Sequence, residues 1–158
     1  MSQAEAPAAG ADVTIDADPD KIYALITDLP TLASLGDEIA TMEWHKGDAV
    51  QPGAVFKGHN RNGTKKWTTT CTVTEAEPGR VFAFDVRHTV LPIAHWRYDI
   101  EAADGGCRVT ERTWDRRPAW FAKVAHLATG VKDRAAANAE HIQATLQRLK
   151  EKAESGNE

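Results

Sequence analysis

The chain has little cysteine: Cys71 and Cys107 are the only two in 158 residues. Two thiols make neither a disulfide framework nor a metal quartet. The six histidines, His45, His59, His88, His95, His126 and His141, show no i, i+4 pair and no Cys/His clustering, so no metal site is expected. No phosphate loop, dinucleotide fingerprint or Ser-His-Asp arrangement is visible, and no cofactor is implied. Basic residues are not in excess. With 19 Lys and Arg against 23 Asp and Glu, the formal charge is −4, which argues against nucleic acid as the partner. No run approaches the roughly 20 apolar residues of a membrane span. Met1 to Gly10 is Ala-rich, without the basic start and apolar core of a signal peptide. The expectation is one domain over residues 11–152, disordered tails at 1–10 and 153–158, and a soluble cytoplasmic protein.

Against these absences stands one long amphipathic pattern at the C-terminal end. Val131, Ala135, Ala139, Ile142, Leu146 and Leu149 recur at steps of three or four, the signature of a helix with one buried face. Roughly 20 helical residues span about 30 Å, enough to cross a small domain. The rest of the chain offers something to pack it on. A short strand, Asp12 to Ala17, leads to Asp18-Pro19. Asp18 suits the cap of a helix carrying Ile22, Leu25, Ile26 and Leu29, and Pro19 suits its first position. A second short helix is expected around Thr31 to Leu35.

From Ile39 the period becomes two. Strands are expected at Ile39–His45, Ala54–Asn60, Lys66–Ala76, Val81–Thr89, Ala94–Ala102 and Cys107–Trp114, with Asn62-Gly63 marking a tight hairpin. Leu91-Pro92 is read as a break. Thr68, Thr70, Thr72 and Thr74 share one face of their strand, so the face of Trp67, Thr69, Cys71 and Val73 is placed inward. Pro118 opens a helical turn or two, interrupted at Thr129-Gly130. Six antiparallel strands in a meander leave one face to cover, and the terminal helix is the element long enough to do it.

Val13-Thr14-Ile15-Asp16-Ala17-Asp18-Pro19-Asp20-Lys21-Ile22-Tyr23, Gly53-Ala54-Val55-Phe56-Lys57-Gly58, Glu77-Pro78-Gly79-Arg80, Trp96-Arg97-Tyr98-Asp99-Ile100 and Gly105-Gly106-Cys107-Arg108-Val109-Thr110-Glu111 occur in an order and spacing that resemble the START-like or SRPBCC superfamily. That superfamily includes the pollen-allergen-like helix-grip fold and the polyketide cyclase/dehydrase group. The resemblance covers about residues 11 to 152. It implies an α+β helix-grip fold: a curved seven-stranded antiparallel sheet wrapped around a long C-terminal helix, with two short helices after the first strand. It also implies a largely apolar cavity between sheet and helix, with the terminal helix as its lid and back wall. It does not fix a function.

Strand parity sends Asn60, Trp67, Thr69, Phe84, His88, Trp96, Tyr98, Glu111 and Thr113 toward that cavity. Phe82, Phe84, Val86 and Ile100 read as plain core rather than as ligand contacts, whereas Trp67, Trp96 and Tyr98 suit either role. Glu111 carries the most information, because a buried carboxylate must be paired or become neutral. It either pairs structurally, contacts a ligand, or moves protons, with His88 as a second weak catalytic candidate. Asn138, beside Arg134 on the terminal helix, either bonds a strand carbonyl or Glu111, or offers a polar contact at the pocket edge. Cys71 and Cys107 fall on strands separated by two others, roughly 14 Å apart, too far for a disulfide. Lys57, His59, Arg61, Lys65 and Lys66 make a basic hairpin, either simply solvated or facing an anionic partner or membrane surface. The leading functional expectation is a binder of an apolar or aromatic small molecule such as a polyketide or lipid. A polyketide cyclase or dehydratase is the enzymatic alternative, and a lipid- or quinone-presenting module a third. The oligomeric state, monomer or homodimer, stays open.

Overall fold

The computed structural model describes residues 6–131 and 133–155. Seven strands form one antiparallel sheet in the order β1-β7-β6-β5-β4-β3-β2. They are β1 (Ala9–Ile15), β2 (Ile39–Lys46), β3 (Val55–Asn62), β4 (Lys65–Glu77), β5 (Val81–His88), β6 (Leu91–Ala103) and β7 (Gly106–Asp115). Five helices accompany them: α1 (Pro19–Thr27), α2 (Leu29–Leu35), α3 (Ala119–Val124), α4 (His126–Thr129) and α5 (Arg134–Ser155). Strands β2 to β7 run as a meander, and β1 returns to pair with β7, so the sheet curls with β1 and β2 at its edges. This is the α+β helix-grip architecture expected from the sequence.

The expected inward parity holds along the sheet. Phe56, Val73, Phe82, Phe84, Tyr98, Ile100 and Val109 are buried on the concave face. Phe56 and Phe82 each meet Phe84 at 5.2 Å between ring centroids, and Phe82 stacks on Tyr98 at 6.4 Å. Offset and edge-on aromatic contacts of this kind tie β3, β5 and β6 together. The opposite face carries charge. Arg97 pairs with Glu75 and Asp99, and Arg112 reaches the same Asp99 carboxylate at 2.6 Å. Arg108 pairs across the strands with Glu101, as its register requires.

The boundaries differ from expectation where pairing or packing overrides local signals. β1 begins at Ala9, within the stretch read as tail, because Ala9 and Gly10 pair with Thr113 and Arg112 of β7. α5 continues to Ser155, past the expected end at 152. Ala153 is buried there, Lys150 donates to the Thr14 carbonyl at 3.0 Å, and Glu154 accepts from the Asp16 amide at 2.9 Å. The remaining tail positions, 1–5 and 156–158, lie outside the described residues. Asp18 occupies the cap position of α1 without a side-chain bond to it. Asp28 caps α2 instead, accepting from the Thr31 amide at 3.2 Å, and this starts α2 at Leu29. β6 begins at Leu91 and includes Pro92, tolerated because the β5–β6 register shifts between Val86 and Arg87.

α5 is divided along its length. Ile142, Thr145, Leu146, Leu149 and Ala153 are buried, whereas Ala135 is exposed and Ala139 half-buried. The C-terminal half therefore packs on β1, α1 and α2, and the N-terminal half stands over the open part of the sheet. The first apolar position of the expected stripe, Val131, precedes the helix. Leu149 is wholly buried in the packed half. Leu149→Ala should cost about 3 kcal/mol of unfolding free energy by chemical denaturation. A loss near zero would mean that α5 does not hold the core.

Candidate functional site

The uncovered concave face and the N-terminal half of α5 enclose a cavity of about 270 Å³, near the lower end of the range for small-molecule pockets. Its apolar wall comes from Phe84 and Val86 of β5, Ile93, Ala94 and Trp96 of β6, Trp67 of β4, Met42 of β2, Leu32 of α2 and Ile142 of α5. Phe121 and Ala125 close it from the α3–α4 side. The lid is thus mainly the α3–α4 stretch, while α5 forms the back wall.

Of the residues expected in the pocket, Asn60, Trp67, Thr69, Phe84, His88, Trp96, Tyr98, Glu111 and Asn138 line the cavity. Thr113 does not. It points inward but is sealed at 1% exposure, and its hydroxyl donates to the His95 carbonyl at 3.1 Å. A short side chain satisfied by its neighbouring strand has no reason to reach the cavity. On the far wall, Asn60 Nδ2 donates to the Thr69 hydroxyl at 3.2 Å and to the Gly58 carbonyl at 3.1 Å. Gly58 leaves room for this: a Cβ there would lie 3.2 Å from Thr69 Oγ1. His88 Nδ1 lies 3.0 Å from the Thr68 carbonyl. A carbonyl only accepts, so Nδ1 carries the proton and Nε2 of the neutral ring is an acceptor.

Glu111 is buried in the cavity wall, with 3% exposure. Its direct cross-strand neighbours are Tyr98 on β6 and Ala11 on β1. Burial pushes its carboxyl up to about 8, only partly offset by hydrogen bonding with Tyr98. The Tyr98 hydroxyl is itself raised well above its ordinary range by burial and by the adjacent carboxyl. At neutral pH the pair is therefore mostly un-ionised, with Tyr98 a permanent donor. One Glu111 oxygen, Oε1, is buried without a hydrogen-bond partner. Of the readings open for Glu111, structural pairing with an arginine or a hydroxyl is met by the Tyr98 hydroxyl and not by an arginine. Arg108 and Arg112, its strand neighbours, bond to acidic residues on the opposite face. Cys71 also borders the cavity, but burial raises its thiol to about 12, so it is no nucleophile. Cys107 is buried on β7, with two strands between it and β4.

The mouth is ionic, and strand parity gave little warning of it. Arg134 Nη1 bonds Glu38 Oε1 at 2.6 Å, with both side chains largely buried. His141 lies 3.7 Å from the same oxygen, and the other Glu38 oxygen, Oε2, is buried and unpartnered. Arg117 pairs with Asp115 at 2.8 Å and holds its carboxyl below the usual carboxylate range. Asn138 lines the cavity beside this group. Among the described residues it makes neither of the two bonds considered for it. The position of Arg134 one turn from Asn138 was the available sequence signal. Asp37, Glu38, Asp115 and Arg117 sit at strand ends, where no periodicity reports direction.

No curated protein matches the sequence. Among solved structures, a polyketide-cyclase-like protein from Corynebacterium glutamicum, Cgl2372, superposes with a TM-score of 0.63 at 24% identity, over 92% of its chain and 94% of this one. The di-domain aromatase/cyclase StfQ of the steffimycin biosynthetic pathway gives 0.73 at 12% identity; 94% of this chain covers 51% of that one. The protein Ara h 8.0201 gives 0.67 at 16% identity, over 96% of its chain and 92% of this one. At these identities the likeness establishes the fold. The sequence itself matches a family model over residues 8–154, nearly its whole length, and the chain belongs to the family described as polyketide cyclase / dehydrase and lipid transport.

Proposed function

We propose that this protein binds an apolar or aromatic small molecule, of polyketide or lipid type, in the cavity between the sheet and α5. The observation that carries the reading is the buried, unpartnered Glu111 Oε1 in the wall of a largely apolar cavity. A buried polar atom left without a partner costs on the order of 1–3 kcal/mol. A ligand polar group meeting the Glu111 carboxyl would recover that cost, while Trp67, Trp96 and Phe84 supply flat apolar contact. Asn60, Thr69 and His88 offer polar contacts along the far wall, and Asn138 at the mouth. Two buried, unlinked thiols suit the reducing cytoplasm as the working compartment.

Catalysis is the second reading, favoured by one specific feature. Glu111 and Tyr98 form a coupled pair inside the cavity, and a carboxyl titrating near 8 suits proton transfer at neutral pH. A cyclase or dehydratase would draw on that pair, with His88 as a further candidate. Binding needs only the cavity and its anchors, so the simpler reading stands first.

Native mass spectrometry of the purified protein should reveal a co-purifying molecule with limited polar functionality. Ligand addition should change tryptophan fluorescence, and Trp96→Ala should diminish that change. An unaltered signal in Trp96→Ala would remove the indole from the site. Glu111→Gln should weaken the ligand by about tenfold, in keeping with one buried hydrogen bond. If it lowers thermal stability and leaves the ligand untouched, Glu111 is structural. Turnover of the ligand by wild type but not by Glu111→Gln would instead establish the enzymatic reading.

The ionisation of Glu111 has its own check. Its folded-state value of about 8 lies above the ordinary 4.5. Between these values the native state holds a proton that the unfolded state has lost. The contribution of Glu111 to stability therefore falls as pH rises through this window, by at most about 1.4 kcal/mol per pH unit. Glu111→Gln removes this dependence. Denaturation curves should find the variant gaining on wild type from about pH 5 to 8 and levelling off above. A constant difference across that range would mean that Glu111 is not held neutral.

A further inference from the structure

α3 and α4 form one helical stretch interrupted at Ala125, and it is apolar on two sides. Phe121 and Ala125 face the cavity. Trp120, Val124 and Leu127, separated by four and three residues, share the outer side and are 60%, 45% and 65% exposed. Single exposed apolar residues are ordinary, but three on one short stripe make a patch. Lys123 is exposed beside them, one turn before Leu127.

The tip of the β3–β4 hairpin is fastened to the end of this stretch. Asn62 Nδ2 donates to the Thr129 carbonyl at 2.8 Å, and a Cβ placed on Gly130 would lie 3.6 Å from Lys65 Cγ. The tip carries Arg61, Lys65 and Lys66, all exposed. Among the described residues, none of these three, nor Lys123, has an ion-pair partner. By contrast, His59 on the same hairpin is paired with Glu43 at 2.6 Å. On a chain of formal charge −4, four unpaired cations are thus gathered around an exposed apolar stripe.

We propose that this face docks the protein on an anionic lipid bilayer. Trp120, Val124 and Leu127 enter the headgroup layer, where an indole is favoured. Arg61, Lys65, Lys66 and Lys123 lie over acidic headgroups, each close cation contributing about as much as a fivefold gain in partitioning. Among the described residues no helix is long and apolar enough to span a membrane, so attachment of this face is peripheral. Charge separates this occupant from a second copy of the chain. Two-fold pairing of the patch would bring two cationic hairpin tips together, which like charges oppose. The inner side of the same stretch walls the cavity, so docking sets the cavity within one helix diameter of lipid. That consequence rests on the cavity being a ligand site; the docking does not.

The test is co-sedimentation of the full chain with vesicles of phosphatidylcholine alone and of phosphatidylcholine mixed with phosphatidylglycerol. Binding should require the anionic lipid, weaken with added salt and blue-shift tryptophan emission. Lys65→Glu with Lys66→Glu should reduce partitioning roughly thirtyfold or more. Trp120→Ser with Leu127→Ser should abolish the blue shift and most of the binding. The denaturation midpoints of both variants serve as the control for folding, since all four positions are exposed. Equal binding to the two vesicle types, no binding to either, or anionic binding unchanged by Trp120→Ser with Leu127→Ser would each overturn the proposal. So would a dimer that the same pair of changes dissociates, because a second copy would then be the occupant. Retention of a cavity ligand by the docking variants would separate failure here from failure of the binding function.

Discussion

A curled sheet with one apolar face must cover that face, and α5 covers only part of it. This mismatch governs the rest of the molecule. Where Ile142, Leu146, Leu149 and Ala153 meet the sheet edge, α1 and α2, the core is closed. Toward the N-terminal end of α5, Arg134 and Asn138 replace large apolar residues, and the helix no longer fills the space above Phe84 and Trp96. A void in a protein interior forfeits the dispersion contacts of its lining. Here it is walled by aromatic rings on one side and by the short α3–α4 stretch on another.

Inside that void the same constraint fixes the chemistry of Glu111. Strict alternation between Val109 and Thr113 turns its side chain indoors, far from the arginines on the outer face of β7. The desolvation of a lone carboxylate is so costly that neutralisation is the cheaper solution. Tyr98, forced opposite by the strand register, becomes its partner. The outer face solves its electrostatics by the contrary route. Asp99, Arg97 and Arg112 remain charged and paired, because water is near. One strand thus carries an ionised network on one side and an un-ionised pair on the other, separated only by the direction in which side chains leave the backbone.

Much of this was legible in the sequence because β-strand parity is a strong rule. Period two along Lys66–Ala76, Val81–Thr89 and Cys107–Trp114 oriented Trp67, Thr69, Phe84, His88 and Glu111 without knowledge of the fold. Parity reports a face, however, and not a depth. Thr113 shares the face of Glu111 yet is sealed beneath its own strand contacts. The ionic mouth was less legible for a different reason. Glu38 and Arg134 are 96 residues apart and meet only because α2, the start of β2 and the start of α5 converge. Asp18 and Asp28 illustrate the local version of the problem. Each precedes an apolar helical run at a proline, and only the second turns its carboxylate onto the helix amides.

The polar groups of the cavity also bear on what it can select. At the mouth, Glu38 is matched by Arg134 and Asp115 by Arg117, so the entrance carries opposed charges already engaged with one another. At the base, Glu111 is mostly protonated at neutral pH. A ligand carboxylate driven to the base would meet no cation and would add a buried charge beside a carboxyl already pressed to stay neutral. A carbonyl or phenol would meet donors at no such cost, from Tyr98 or the protonated Glu111. The arrangement therefore discriminates against charge at the base more strongly than it attracts any one shape. On the binding function proposed above, selection of that kind would favour uncharged, largely apolar molecules with a hydrogen-bonding group at one end.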